Sequence, residues 1–209
     1  MRSNRFTHLA FAGVCIAIAA CAKESSNTTT DSAGGAMTAD SSSAMNDGSA
    51  NTANNTGIAT NDASIVAYLD AVNMADSAGG KLASTKGTSK AVRDFGLEMV
   101  KDHHTLRAQG QALAKKDSIT PTPAANDTTQ QAAQHTQAAM TSMAKGTAWD
   151  KAYIDHEVAM HQEVLDNAKS ASNATQNADL KALIEKATPV VQKHLDRAKE
   201  IQKTLTPST

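Results

Sequence analysis

Apolar residues recur at steps of three and four along four separate stretches of the chain, and each stripe carries an ionisable side chain near its middle. In the first, Ile65, Leu69, Val72, Gly79 and Ala83 share one face, with Asp76 in the step between Val72 and Gly79. In the second, Met99, Leu106 and Leu113 form the stripe and His103 lies inside it. His161 interrupts the third, made of Ile154, Val158, Leu165 and Ala168. The fourth runs Leu180, Ile184, Ala187, Val191, Ala198, Ile201 and Leu205, with His194 between Val191 and Ala198. Such spacing predicts amphipathic helices whose stripes face partner helices. A buried ionisable group is costly unless it is paired, hydrogen-bonded or bound to metal, so four of them at helix midpoints predict one shared polar layer.

Punctuation residues set the limits of these helices. Asn61 and Asp62 supply capping side chains and Gly87 a stop, which predicts a first helix over residues 62–86. Thr88 and Ser89 cap a second that runs to residue 116. Pro121 and Pro123 forbid regular helix in the connection that follows. A shorter, Ala-rich helix is predicted over 128–144, and two long ones over 148–171 and 178–205. Pro189 removes a backbone hydrogen bond to the carbonyl of Glu185 and should kink the last helix just before His194. Gly79 and Gly80 weaken the first helix but allow a neighbouring backbone to approach. The predicted fold class is all-α: an antiparallel four-helix bundle with one extra short helix.

The N-terminal part is not expected to join this core. Residues 1–5 are basic, residues 9–20 apolar but short for a membrane span, and Ile18-Ala19-Ala20-Cys21 closes the segment. This arrangement resembles a bacterial lipoprotein signal, which implies removal of residues 1–20 and lipidation of Cys21. Ala22 rather than Asp after the cysteine points, by the same resemblance, to the outer membrane of a Gram-negative cell. Residues 21–61 are rich in Ser, Thr, Asn, Ala and Gly and poor in large apolar residues, which predicts a disordered tether. Residues 62–209 then form the single folded domain.

Composition narrows the chemistry. Cys15 falls in the removed segment and Cys21 carries the lipid, so no disulfide, thiolate metal site or cysteine nucleophile is expected. A formal net charge of −1 leaves no electrostatic footprint for nucleic acid. No Gly-x-Ser-x-Gly block and no phosphate-cradling glycine loop occurs. The sequence names no reaction, and the balance points away from an enzyme.

The polar layer is the candidate site. His103, His161 and His194 are the candidate nitrogen ligands, with Asp76, Asp102 or Glu157 supplying oxygen, a set that suits zinc, copper or iron. Glu157 and His161 are four apart and can face one ligand. A di-iron oxidase centre is not expected, because no Glu-x-x-His occurs in the folded region. His104 and His156 lie off their stripes and are expected to face solvent. The alternative is a buried hydrogen-bond network without metal, in a non-enzymatic structural or interaction protein.

Several blocks together carry a family resemblance. Val92-Arg93-Asp94-Phe95-Gly96-Leu97-Glu98-Met99-Val100-Lys101-Asp102-His103, Gly80-Lys81-Leu82-Ala83, Trp149-Asp150-Lys151-Ala152-Tyr153-Ile154, His161, and Pro189 through His194-Leu195 follow in order. They resemble a bacterial ferritin-like family of unknown function whose members are often labelled outer-membrane proteins. Met160 stands where that family usually has Asp, and Glu157 where it usually has Met. The resemblance implies a ferritin-like bundle in the cell envelope, held to the outer membrane by its lipid and facing the periplasm. Expected partners are the membrane itself and either another envelope protein or a second copy of the chain, with no nucleic acid.

Overall fold

The computed structural model describes residues 61–205, which lie within one compact unit of the chain. The signal segment 1–20, Cys21 and the tether up to residue 60 lie outside the described residues. The described residues form five helices: α1 (Asp62–Lys86), α2 (Lys90–Lys116), α3 (Thr129–Ser142), α4 (Thr147–Ala174) and α5 (Ala178–Leu205). The described residues contain no strand. Among them no helix is long and apolar enough to cross a membrane.

The helices begin where the sequence places capping groups. Asn61 accepts from Ser64 N at 2.9 Å and its own N–H meets Ser64 Oγ, a reciprocal cap on α1. Ser89 accepts from Val92 N and starts α2. Its link to α1 is only Gly87–Ser89, so α2 folds straight back along α1. The predicted close approach occurs at Gly80: a Cβ there would lie 2.6 Å from the Gly96 carbonyl oxygen. α4 starts one residue earlier and ends three residues later than predicted. α5 runs unbroken through Pro189, which sits on its exposed side, where a missing N–H costs least.

Two apolar clusters fill the ends of the interior. One gathers Phe95, Met99, Trp149, Tyr153, Ile154 and Ile201 with neighbours from α1 and α5. The other gathers Ile65, Val66, Ala168, Leu180 and Ile184. Val72, Val164 and Val191 form a thinner set between them. One helical turn from each of these three valines comes a polar side chain: Asp76, His161 and His194. The ionisable layer is thus sandwiched between apolar layers, which fixes its depth.

α3 is different in kind. None of its residues is buried. Its C-terminal carbonyls are held instead: Lys86 Nζ donates to Met140 O and Thr141 O, and Trp149 Nε1 donates to Met140 O at 2.8 Å. A lysine on the last carbonyls also suits the helix dipole. α3 therefore lies as a strap across α1, fixed at one end.

Candidate metal centre

His103 of α2, His161 of α4 and His194 of α5 meet in the interior, 3%, 1% and 0% exposed. Their ring centroids are 5.1–5.5 Å apart. Each offers one ring nitrogen within 4.8 Å of the other two, a spacing that could hold a metal ion.

The hydrogen bonds decide which nitrogen of each ring is free. Asn73 Nδ2 donates to Leu69 O at 2.6 Å, so its Oδ1 faces His103, and His103 Nδ1 must donate to it across 2.9 Å. His161 Nδ1 donates to the backbone carbonyl of Glu157, also at 2.9 Å. His194 Nε2 donates to Asp102 Oδ2 at 3.1 Å. A neutral imidazole has one donor and one acceptor nitrogen. With each donor spent, lone pairs remain on His103 Nε2, His161 Nε2 and His194 Nδ1. These are the three ring nitrogens left buried without a partner.

All three rings are held neutral, the form that binds metal. Burial pushes His103 down to about 4, against the upward pull of Asp102. Burial also takes His161 to about 4, opposed by Asp76 and helped by the neighbouring imidazoles. His194 is lowered by burial as well, with its hydrogen bond to Asp102 opposing.

The carboxylates occupy a different place from the imidazole lone pairs. Asp76 Oδ2 lies 3.3 Å from His103 Nδ1, Glu157 Oε2 3.3 Å from His161 Nδ1, and Asp102 Oδ2 on His194 Nε2. Each acid thus sits on the protonated nitrogen of one ring, as do the outer partners that orient metal-bound histidines. Asp76 and Glu157 are themselves buried, 4% and 1% exposed. Burial raises both acids, and the charge of Asp76 pushes Glu157 up further. Asp76, Glu157 and His161 form a second group with ligand-capable atoms within 4.8 Å, and Glu98, Asp102 and His194 a third. In the third group Glu98 is already paired with Lys193 and Arg197.

The structure therefore brings the six expected metal-site residues into one layer but divides them by role: imidazoles inward, acids outward. Three participants were not anticipated. Asn73, three residues before Asp76 on the same face, fixes the His103 tautomer. Tyr153 places its hydroxyl beside Glu157, and burial and that acid push the phenol well above its usual range. His156, expected in solvent, is half-buried and lines a cavity beside the acids, with burial lowering its basicity. The signal for it was available: one residue before Glu157, it shares the flank of α4 that α3 covers. His104 is exposed, as expected, and His135 is exposed too.

The fold and this centre define a class: an all-helical domain with a buried cluster of three histidines, each backed by a carboxylate. The chain matches the family described as Domain of unknown function (DUF4142) over residues 47–201, and it belongs to that family. No curated protein and no solved structure matches it.

Proposed function

We propose that this chain binds one transition-metal ion through His103, His161 and His194, in a lipid-anchored protein of the bacterial envelope. One observation carries the metal reading: three converging imidazoles each keep a buried lone pair with no donor to receive. A purely structural network would satisfy those atoms, since buried polar groups nearly always find partners. Three nitrogens suit zinc, copper(II) or iron and leave a coordination position for water or another ligand. Asp76, Asp102 and Glu157 then act as orienting and charge-balancing partners rather than as the first choice of ligands.

The test is metal analysis of the purified full chain after separate exposure to zinc, copper and iron. About one equivalent of at least one metal should remain bound after desalting, since folding prearranges the site. His103→Ala, His161→Ala and His194→Ala should each abolish that binding, and His135→Ala should not. Failure of all three metals to bind would end the proposal.

The wider setting rests on sequence. The ordered blocks, together with α2 folded back on α1 and α5 packed on α4, support a ferritin-like antiparallel four-helix bundle with α3 as the extra helix. Residues 1–20 serve as the signal, 21–61 as a tether and 62–209 as the domain, which faces the periplasm from the outer membrane. Cys21→Ser should move the protein from the membrane fraction to the soluble fraction. Unchanged fractionation would remove the anchor from the proposal.

A further inference from the structure

α1 and α4 hardly touch each other, although each is packed along a neighbour, α1 on α2 and α4 on α5. A cavity of about 270 Å³ lies in the seam that this leaves, and α3 runs across it. Ala132, Ala133, Thr136 and Met140 of α3 form the outer wall. Asp76 of α1 and Glu157 of α4 stand in the inner wall, with Tyr153 and His156 beside Glu157. None of the three clustered histidines is in that lining, so the two acids lie between the cavity and the rings they back. With α3 in place, Asp76 and Glu157 are only 4% and 1% exposed, and solvent barely reaches them.

α3 is pinned at its C-terminal end. Lys86 Nζ and Trp149 Nε1 donate to its last carbonyls there, and Met140 and Met143 pack on the core beside Trp149. At the other end Thr128 gives no side-chain cap, although Asp127 accepts locally from Thr129 N. The link before it carries Pro121 and Pro123 and no regular structure. No residue of α3 is buried. A helix that buries so little has little to lose on lifting, which puts it at the low-stability end of the fold.

We propose that α3 is a hinged cover on this seam, and that the metal ion reaches the histidines through the cavity beneath it. The entry route rests on the metal-binding reading above; the cover itself does not. A buried metal site needs an entry path, and the other sides offer poorer ones. Between α1 and α2, Gly80 and Gly96 bring the two backbones into contact. Between α2 and α5, Asp102 covers His194, and Glu98 pairs with Lys193 and Arg197. A smaller cavity of about 70 Å³ touches His103 and His161. Leu106, Leu183, Ala187 and Val191 make its wall mainly aliphatic, and Arg107, paired with Asp70, puts a cation in it. The seam under α3 instead offers an ion carboxyl oxygens part-way, in Asp76 and Glu157.

The experiment locks the cover. Ala75 of α1 and Ala133 of α3 line both this cavity and the groove on the other side of α3, so they stand where the two helices meet. The full chain carrying Ala75→Cys and Ala133→Cys is compared oxidised and reduced, with the parent chain treated alike. Two rates are read: uptake of zinc, and carbethoxylation of His156 by diethylpyrocarbonate, with exposed His104 as the internal standard. Oxidation should slow both at least about 10-fold, leave the final zinc content and the His104 rate unchanged, and be reversed by reduction. Lys86→Met removes two charge-assisted bonds from the C-terminal end of α3 without touching the site. It should speed both rates by about 10-fold, and it decides the matter where the disulfide does not close. A chain that binds no zinc but whose His156 is shielded by the disulfide would lose the entry route and keep the cover. Zinc uptake unchanged in the oxidised pair would overturn the route. His156 reacting equally fast in the oxidised pair and in Lys86→Met would overturn the cover.

Discussion

Asp150→Ala is expected to cost about 3–5 kcal/mol of folding stability, by the measure of breaking a buried charged hydrogen-bond cluster. Asp150 is fully buried at the first turn of α4. Its Oδ1 accepts from Thr88 N at 2.8 Å, and its Oδ2 accepts from Thr88 Oγ1 at 2.6 Å and Ser89 N at 2.7 Å. Those donors belong to the tight link between α1 and α2. Arg93 completes the arrangement by donating to Gly87 O and Thr88 O. One acid therefore ties α4 to the hairpin of α1 and α2, and its place at a helix N-terminus suits negative charge. Alanine would leave two backbone N–H groups and a hydroxyl without their acceptor. Asp150→Asn, which keeps one acceptor oxygen, should lose less. Lys151→Ala, on the next residue, breaks only a half-exposed pair with Asp155 and should cost under about 1 kcal/mol. Urea unfolding of the three variants checks the order. A loss below about 1 kcal/mol for Asp150→Ala would show that the link does not depend on it.

Periodicity made the depth of the histidines legible, but not their orientation. A histidine at the midpoint of a clean stripe, such as His194 between Val191 and Ala198, has one direction in which to point, and the structure places it there. Helical spacing defines a face and a height but does not reveal which ring nitrogen faces inward. That choice depends on outer acceptors such as Asn73, which a stripe of apolar residues leaves unmarked. The same limit applies to the acids. Asp76, Asp102 and Glu157 lie at the right height for ligands, and only the three-dimensional contacts reveal that each backs a ring. Asp150 escaped notice for a different reason. Its partners are backbone amides of a turn about sixty residues away, and no sequence spacing encodes such a contact. The cavity was invisible for a third reason: it exists because α3 crosses α1 and α4 without filling the space beneath it, a property of tertiary placement.

Gly96→Ala should cost about 3 kcal/mol or more, at the upper end of overpacking effects, because the added methyl would meet backbone rather than a yielding side chain. Its Cβ would lie 2.5 Å from Gly80 O and 2.8 Å from Ser84 N, both on α1. Neither atom can move without moving the helix. The same helix supplies a control in Gly110, where an added Cβ meets nothing within 4 Å. Gly110→Ala should therefore stabilise by about 1 kcal/mol, the ordinary gain of alanine over glycine inside a helix. The consequence reaches the histidine layer. Gly80 lies one turn beyond Asp76, and Gly96 two turns before His103, so the spacing of α1 from α2 sets the 2.9 Å contact of Asn73 with His103 and the 3.3 Å contact of Asp76 with the same ring. Prying the helices apart would release that ring from both partners. Folded Gly96→Ala should then bind metal roughly 10–100-fold more weakly, the usual effect of losing an outer partner. Gly110→Ala should bind as the parent does. Metal affinity intact in a destabilised Gly96→Ala would mean that His103 is oriented by something other than α1.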